Sequence, residues 1–157
     1  MNRYRVSRSR TIDAQRDQVY GVIADYRRHH PHIVPPEYFS KLEVTEGGVG
    51  AGTRTRVEMR VFGSTRAFEQ VVTEPEPGRV ILETNSGGLG ATTFTVDDAP
   101  KSGSVQVTIT TELEARPGIA GHVERVLTSA MLGRIYEKEL ARLADYVAGL
   151  GAGAGEA

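Results

Sequence analysis

The chain of 157 residues contains no cysteine, so it can form neither a disulfide framework nor a thiolate nucleophile or thiolate metal site. The absence of cysteine, together with the absence of an apolar N-terminal run, makes a reducing, cytoplasmic location the expectation. No apolar stretch approaches the roughly 18 residues of a membrane-spanning helix. We therefore expect no stable membrane insertion.

Neither sign of charge predominates. Nineteen Lys and Arg residues against twenty Asp and Glu residues give a net charge of -1. Such a balance lacks the basic excess with which proteins attract nucleic acid or anionic membranes, so no nucleic-acid partner is expected. A chain of this length fits one domain whose core is large enough to contain a pocket.

Recognisable catalytic and cofactor motifs are also missing. There is no Gly-x-Ser-x-Gly nucleophile elbow, and the glycines of residues 48–52 lie between predicted strands, where they indicate a hairpin turn rather than a phosphate loop. His29, His30 and His32 are too close in sequence to converge easily on one metal ion. We expect no metal and no cofactor. A proton-transfer role for His30 is an alternative that requires the ring to face a cavity.

A strand, a helix and a broken segment open the chain. Residues 4–12 are predicted to be a strand, and a helix is predicted from about Ala14, with Asp13 accepting hydrogen bonds from its first free amides. Residues 25–36 combine three histidines with three prolines and predict a turn or a broken second helix. The side chains expected on the buried face of the first helix are Val19, Val22, Ile23 and Tyr26.

From residue 38 the apolar spacing changes from threes and fours to twos, which is typical of half-buried antiparallel strands. Short glycine- or proline-rich links separate the runs, so neighbouring strands are expected to pair as hairpins in a meander. The six runs cover residues 38–45, 53–62, 65–74, 79–84, 91–97 and 104–113. The predicted inward side chains include Thr55, Val57, Met59, Val61, Thr92, Phe94, Val96, Val105, Val107, Ile109 and Thr111.

The first strand departs from this alternation. Val6 and Ile12 share one parity with Arg8 and Arg10, so burying the two apolar residues also turns two arginines inward. An unpaired buried charge costs several kcal/mol. Either a bulge shifts the register between Val6 and Ile12, or one arginine enters the interior and meets a carboxylate or an anionic ligand.

The chain ends in one long helical pattern over residues 117–150. Its apolar residues recur at threes and fours and therefore share a face that the sheet must cover. The second half is expected to be core. The first half, residues 123–131, is expected to touch a ligand and to act as a mobile gate, because Gly118, Gly121 and Gly133 each lower helix stability by about 1 kcal/mol relative to alanine.

The element order resembles the START-like helix-grip superfamily (SRPBCC), and within it the polyketide cyclase/dehydrase and lipid-transport group. The local carriers of the resemblance are residues 9–22 (SRTIDAQRDQVYGV), the glycine turn 48–52 leading into Thr53 and Arg54, and residues 74–80 (EPEPGRV). The resemblance covers residues 4–148. We expect one START-like domain over residues 1–148, followed by a flexible Gly/Ala tail over residues 149–157.

This resemblance implies an α+β helix-grip fold. A curved seven-stranded antiparallel sheet would wrap around the long C-terminal helix, with one or two short helices after the first strand and a mainly hydrophobic cavity inside. The resemblance implies binding of lipids, sterols, polyketides or other apolar molecules, and catalysis in only some members. Many relatives carry a large aromatic residue where this chain has His29, His30, Pro31 and His32.

We expect non-catalytic binding of a small hydrophobic or amphipathic ligand in that cavity, driven by apolar burial. The residues expected to contact it are Tyr38, Val57, Met59, Val61, Phe68, Leu82, Phe94, Ile109, Val123, Leu127, Met131 and His30. The alternative is a polyketide cyclase, aromatase or dehydratase, which requires at least two of His30, Tyr38 and Arg10 to converge on one pocket. A third hypothesis, a module that regulates a protein partner, requires an exposed apolar patch.

Overall fold

The computed structural model describes residues 2–155 and contains a seven-stranded antiparallel sheet, two α-helices and one short 3-10 turn. The predicted α+β architecture with a long C-terminal helix is confirmed. The elements are β1 (Arg3–Ile12), α1 (Arg16–Ala24), the 3-10 turn (His30–His32), β2 (Phe39–Glu46), β3 (Arg54–Val61), β4 (Ser64–Glu76), β5 (Val80–Asn85), β6 (Ala91–Asp98), β7 (Val105–Glu114) and α2 (Gly118–Gly155).

The sheet has the order β1-β7-β6-β5-β4-β3-β2, so the six strands after α1 form the predicted meander and β1 pairs with the last of them. Alternate side chains of each strand face the core, because successive residues of a strand point to opposite faces. Phe94 lies at the centre of this face, paired with Ile81 on β5 and Ile109 on β7. All three side chains are buried.

Helix α1 covers one end of the sheet with the side chains that its periodicity predicted. Val19, Val22, Ile23 and the following Tyr26 are all buried. The predicted capping role of Asp13 is wrong. Gln15 occupies the N-cap position, and the Asp13 carboxylate instead accepts a hydrogen bond from Ser104 Oγ at 2.6 Å.

Strand β1 contains no bulge, so the first of the two alternatives for Arg8 and Arg10 is wrong. Its pairing with β7 is continuous from Arg3 to Ile12, so Arg8 and Arg10 keep the parity of the buried Val6. Arg8 Nε donates to Glu137 Oε1 of α2 at 3.1 Å, while its side chain keeps contact with solvent. The arginine therefore meets a carboxylate, but at the margin between sheet and helix and not in the interior.

Helix α2 has two halves of different character. In the second half Ile135, Leu140, Leu143 and Val147 are at most 2% exposed and belong to the core. In the first half the apolar side chains Ile119, Val123, Val126 and Leu127 are 50–86% exposed. The predicted core role of the second half is confirmed, whereas much of the apolar stripe in the first half faces outward.

The helix continues beyond the predicted end and includes residues 149–155. Alanine favours helix and no proline interrupts this segment, so the helical path can extend through its glycines. Residues 156–157 of the expected tail lie outside the described residues, and the flexibility of the tail remains a prediction. Neither helix within residues 2–155 combines the length and apolarity that crossing a membrane requires.

Candidate ligand-binding cavity

A cavity of about 590 Å³ lies between the inner face of the sheet and α2, which is a volume typical of small-molecule sites. Exposed residues surround one end, among them Phe62, Gly87, Gly88 and Arg116. Most of the wall is apolar because β3, β4, β6, β7 and α2 each turn hydrophobic side chains toward it. The apolar lining includes Val34, Phe39, Leu42, Val57, Met59, Val61, Phe68, Phe94, Leu113, Met131, Leu132 and Ile135, together with Tyr4, Leu89 and Ala115.

The structure brings part of the sequence-predicted contact set together on this wall. Strand alternation places the predicted side chains of β3 on one face, and Phe68 pairs directly with Val57 across the β3–β4 ladder. Their contact with a ligand remains a prediction. The predicted residues that line the cavity are His30, Val57, Met59, Val61, Phe68, Phe94 and Met131.

Two predicted residues on the sheet do not line the cavity. Leu82 has the opposite parity to the buried Ile81 and Glu83, so it points to the outer face of β5. Ile109 faces inward but is completely buried in the core. The error for Leu82 arose because three apolar residues in succession, at positions 80–82, hide the alternation of β5.

Three further predicted residues also lie off the cavity. Val123 and Leu127 are each 50% exposed, because the α2 face directed at the sheet carries Thr128 and Met131 instead. Tyr38 precedes β2, and the ammonium group of Lys138 lies 5.3 Å from the centre of its ring. The apolar spacing correctly predicted an amphipathic helix, but the side of the helix expected to face the ligand was wrong.

We call the end of the cavity away from the exposed rim the inner end. It carries three buried ionisable groups, Glu83, Glu139 and His30. Their exposures are 5%, 4% and 2%. His30 Nε2 lies 3.8 Å from Glu83 Oε1 and 4.0 Å from Glu139 Oε1. Both separations exceed hydrogen-bonding distance, so the imidazole nitrogen faces two carboxyl groups across a narrow gap.

Glu83 is held in place by donors from two directions. Tyr26 donates its hydroxyl to Oε1 at 2.7 Å, and Gln70 Nε2 donates to Oε2 at 3.2 Å. Gln70 is oriented in turn by Thr55, whose hydroxyl donates to its carbonyl oxygen at 3.0 Å. These bonds fix the Glu83 carboxyl group and favour its charged form.

Glu139 is in a different environment. It lies on the α2 face that also presents Met131 and Ile135 to the cavity, at spacings of four residues. Among the hydrogen bonds between residues 2–155, none reaches its carboxyl group. The side chain is therefore buried, faces the cavity and lacks a hydrogen-bond partner from the chain.

Burial determines the protonation states at the inner end. It raises the pKa of Glu83 to about 7, against the two hydrogen bonds, and together with the charge of Glu83 it raises the pKa of Glu139 well above its ordinary value. Burial also lowers the pKa of His30 to about 4. His30 Nδ1 lies 2.7 Å from the carbonyl oxygen of Ile23, which only accepts, so Nδ1 carries the proton and Nε2 is the free acceptor.

A second polar group lies beside the inner end. Thr92 and Thr111 pair across β6 and β7 with their hydroxyl oxygens 2.7 Å apart, and Thr111 also bonds the hydroxyl of Tyr136 on α2. Burial raises the pKa of Tyr136, so the phenol stays neutral. The inward position of both threonines was predicted, and their hydroxyl groups give this part of the wall polar character.

The sequence reading missed Glu83, Glu139, Gln70 and Tyr136. Glu139 could have been found, because it lies four residues from both Ile135 and Leu143 on the buried stripe of α2. The other two histidines of the cluster lie elsewhere: the ring of His32 stacks on Tyr146 with centroids 5.1 Å apart. His29 Nδ1 lies 2.7 Å from the hydroxyl oxygen of the same tyrosine.

Comparison with known proteins agrees with this architecture. Residues 3–148 match the family described as polyketide cyclase/dehydrase and lipid transport. None of the curated proteins compared with the chain matches it.

Solved structures with the same fold are numerous. The NMR structure of KanY protein is 24% identical, with a TM-score of 0.80 over 94% of this chain and 99% of that one. A START superfamily protein from Mycobacterium smegmatis is 15% identical, with a TM-score of 0.70 over 93% and 98%. The Zhui aromatase/cyclase from Streptomyces sp. R1128 is 19% identical, with a TM-score of 0.65 over 94% and 93%. At these identities the likeness establishes the helix-grip, START-like fold.

Proposed function

The chain belongs to the polyketide cyclase/dehydrase and lipid transport family, and we propose that its cavity binds a small hydrophobic or amphipathic ligand without catalysing a reaction. The observation that carries this proposal is the combination of one 590 Å³ cavity with an apolar wall and a polar inner end. An apolar molecule of lipid-, sterol- or polyketide-like shape fits such a wall, and a polar group on it would reach the inner end.

Affinity would come mainly from apolar burial. Each 100 Å² of apolar surface removed from water contributes about 2.5 kcal/mol before the costs of ordering the ligand and the wall. Met59 and Met131 lie on opposite sides of the cavity, on β3 and α2. Their flexible thioether side chains can adapt the wall to ligands of irregular shape.

The test is native mass spectrometry of the protein, first as purified and then with a panel of lipids, sterols and aromatic polyketides. We expect stoichiometric one-to-one complexes with at least one class, competed away by a neutral apolar fluorophore such as N-phenyl-1-naphthylamine. Failure of every panel member and of the fluorophore to bind would reject the proposal.

A second candidate, an acid–base enzyme on a polyketide-like substrate, draws support from a specific observation. Of the three polar groups first considered for it, only His30 lines the cavity, and Tyr38 and Arg10 do not, so the convergence of two of the three is not found. Glu139 and Glu83 meet His30 at the inner end instead. A protonated carboxyl group beside a free imidazole nitrogen is a suitable pair for moving a proton in an aldol cyclisation or a dehydration.

The enzyme candidate has its own test. The protein and its Glu139→Gln variant are incubated with β-hydroxy ketones carrying an aromatic group, and the products are measured by mass spectrometry. Loss of one water that depends on Glu139 would favour the enzyme. Binding of these compounds without turnover would favour the non-catalytic proposal.

A further inference from the structure

The inner end contains two buried carboxyl groups and no side-chain cation to neutralise them. Within residues 2–155, the only basic side chain with a nitrogen within 4.0 Å of either carboxyl group is His30, which is neutral at physiological pH. The arginines that line the cavity, Arg66 and Arg116, are exposed. Ionising a buried carboxyl group is costly unless a cation lies beside it, so a positively charged group is the complement that would allow both acids to ionise.

The hydrogen-bond acceptors at the inner end suit an ammonium group better than a metal ion. Glu83 Oε1 and Glu139 Oε1 lie 3.8 and 4.0 Å from His30 Nε2, and each of the three atoms can accept a hydrogen bond. An ammonium group offers three donors and no acceptor. Among the described residues, no set of three His, Asp, Glu or Cys side chains is arranged to hold a metal ion, which argues against a bare divalent cation.

We propose that the ligand is an amphipathic amine, whose protonated nitrogen lies at the inner end and donates to Glu139, Glu83 and His30. This inference rests on the proposed ligand-binding function and specifies the chemical class of its ligand. Phe94 packs edge-on against His30 with ring centroids 5.7 Å apart, so the apolar body of the ligand would begin directly beside its charged nitrogen.

Glu139 is the group that gives the site its selectivity. Its carboxyl group has no hydrogen bond from residues 2–155 and lines the cavity, so a ligand there can supply one. The ionisable groups around it are Glu83 on β5, His30 on the 3-10 turn, Tyr26, and Tyr136 on α2 itself. None of these is positively charged at neutral pH, so a bound ammonium would expel the proton of Glu139 to solvent.

The experiment compares three probes that share one apolar body: 2-(2-naphthyl)ethylamine, 2-(2-naphthyl)ethanol and 2-naphthylacetate. Affinities are measured calorimetrically at about pH 8 in two buffers of different ionisation enthalpy. We expect the amine to bind at least about tenfold more tightly than the alcohol, since a charged hydrogen bond is stronger than a neutral one, and the acetate to bind most weakly. Amine binding should release protons, because the ammonium favours the charged form of Glu139.

The Glu139→Gln variant should reduce the preference for the amine at least about threefold and remove most of the proton release, because its amide retains the shape but not the charge. Glu83, whose pKa is about 7, keeps the remaining preference. Glu137→Gln is the control, since Glu137 lies two residues away on the exposed side. It should behave like the parent protein. Thermal unfolding verifies that both variants are folded.

The outcomes separate the two proposals. If the alcohol binds as well as the amine, or if Glu139→Gln keeps the full preference, the amine proposal is overturned while ligand binding stands. If none of the three probes nor N-phenyl-1-naphthylamine binds, ligand binding itself fails, and the amine proposal fails with it.

Discussion

The carboxyl group of Glu139 lies 4.0 Å from Nε2 of His30, and neither group donates a hydrogen bond to the other. Both side chains are almost completely buried, one on α2 and one on the 3-10 turn. Burial keeps the acid protonated and the imidazole neutral, so the pair carries no net charge near neutral pH. A ligand in the cavity can bond both groups, and their burial makes the stability of the fold depend on pH.

Replacing Glu139 by glutamine should stabilise the protein above neutral pH. The pKa of Glu139 is raised in the folded protein above its ordinary value of 4.5, so the unfolded chain ionises first and stability falls as pH rises above 4.5. We expect Glu139→Gln to gain on the order of 1–3 kcal/mol at about pH 8 and much less below 4.5. Urea unfolding at the two pH values measures this. Equal stability of parent and variant at about pH 8 would show that the carboxyl group is not buried as described.

His30 should determine part of the acid sensitivity. Its pKa is about 4 in the folded protein against 6.5 ordinarily, so the unfolded chain binds an extra proton between these values. The contribution of His30 to stability therefore falls as pH drops from 6.5 to 4, opposite in sign to the contribution of Glu139. The loss is roughly 3 kcal/mol. The ring of His30 stacks on Tyr26 with centroids 4.3 Å apart, and His30→Phe can keep this stack while it removes most of the pH-dependent contribution. The control His122→Gln replaces an exposed histidine and should retain it.

A bulky substitution on α2 should block ligand binding only if it lies on the face that lines the cavity. Met131→Trp adds bulk to the cavity wall, whereas Leu127→Trp adds it to a side chain that is 50% exposed. In fluorescence titrations with N-phenyl-1-naphthylamine, we expect the first variant to lose at least about tenfold in affinity and the second to change by less than about twofold. If Leu127→Trp weakened binding more than Met131→Trp, Leu127 would contact the ligand, as the helical spacing first predicted.

The loop over the cavity rim should tolerate alanine at one glycine and not at another. Gly90 and Gly87 both have positive φ, at 77° and 70°. A Cβ atom at Gly90 would lie 2.2 Å from the backbone carbonyl oxygen of Glu112, while one at Gly87 would meet nothing within 4 Å. We expect Gly90→Ala to cost about 2–4 kcal/mol and Gly87→Ala about 1 kcal/mol. Thermal unfolding of the two variants checks this order.

The first half of α2 should open more readily than the second. Its apolar side chains are exposed, whereas Ile135, Leu140 and Val147 are anchored in the core. Hydrogen exchange of the ligand-free protein should therefore be faster over residues 119–127 than over residues 135–147. Uniformly slow exchange along the helix would contradict the proposal that this half acts as a mobile gate.

Most of the fold was predictable because it follows from local periodicity. The change from threes and fours to twos near residue 38 located the meander, and glycine-rich turns located the strand ends. The fit of Arg8 was not predictable, since it depends on Glu137, which is distant in sequence, and on the space beside Gly133. A Cβ atom at Gly133 would lie 2.3 Å from Arg8 Nη2, so this glycine leaves room for the guanidinium group.

The cavity was predictable in kind but not in its chemistry. Strand parity placed Val57 and Phe94 on the wall, but a glutamate in a strand or helix is ordinarily read as a solvent-facing residue. Glu83 and Glu139 become a pair only because β5 and α2 approach each other around His30. Such convergence depends on the tertiary packing of elements that are distant in sequence.

The central claim, that the interior is a ligand site with a polar inner end, is tested most directly by a crystal structure of the complex with 2-(2-naphthyl)ethylamine. We predict electron density for the naphthalene ring among Phe68, Phe94 and Met131, with the nitrogen within hydrogen-bonding distance of Glu139. Density on the exposed face of α2 beside Ile119 and Val123, with the interior closed by rearranged side chains, would contradict the claim.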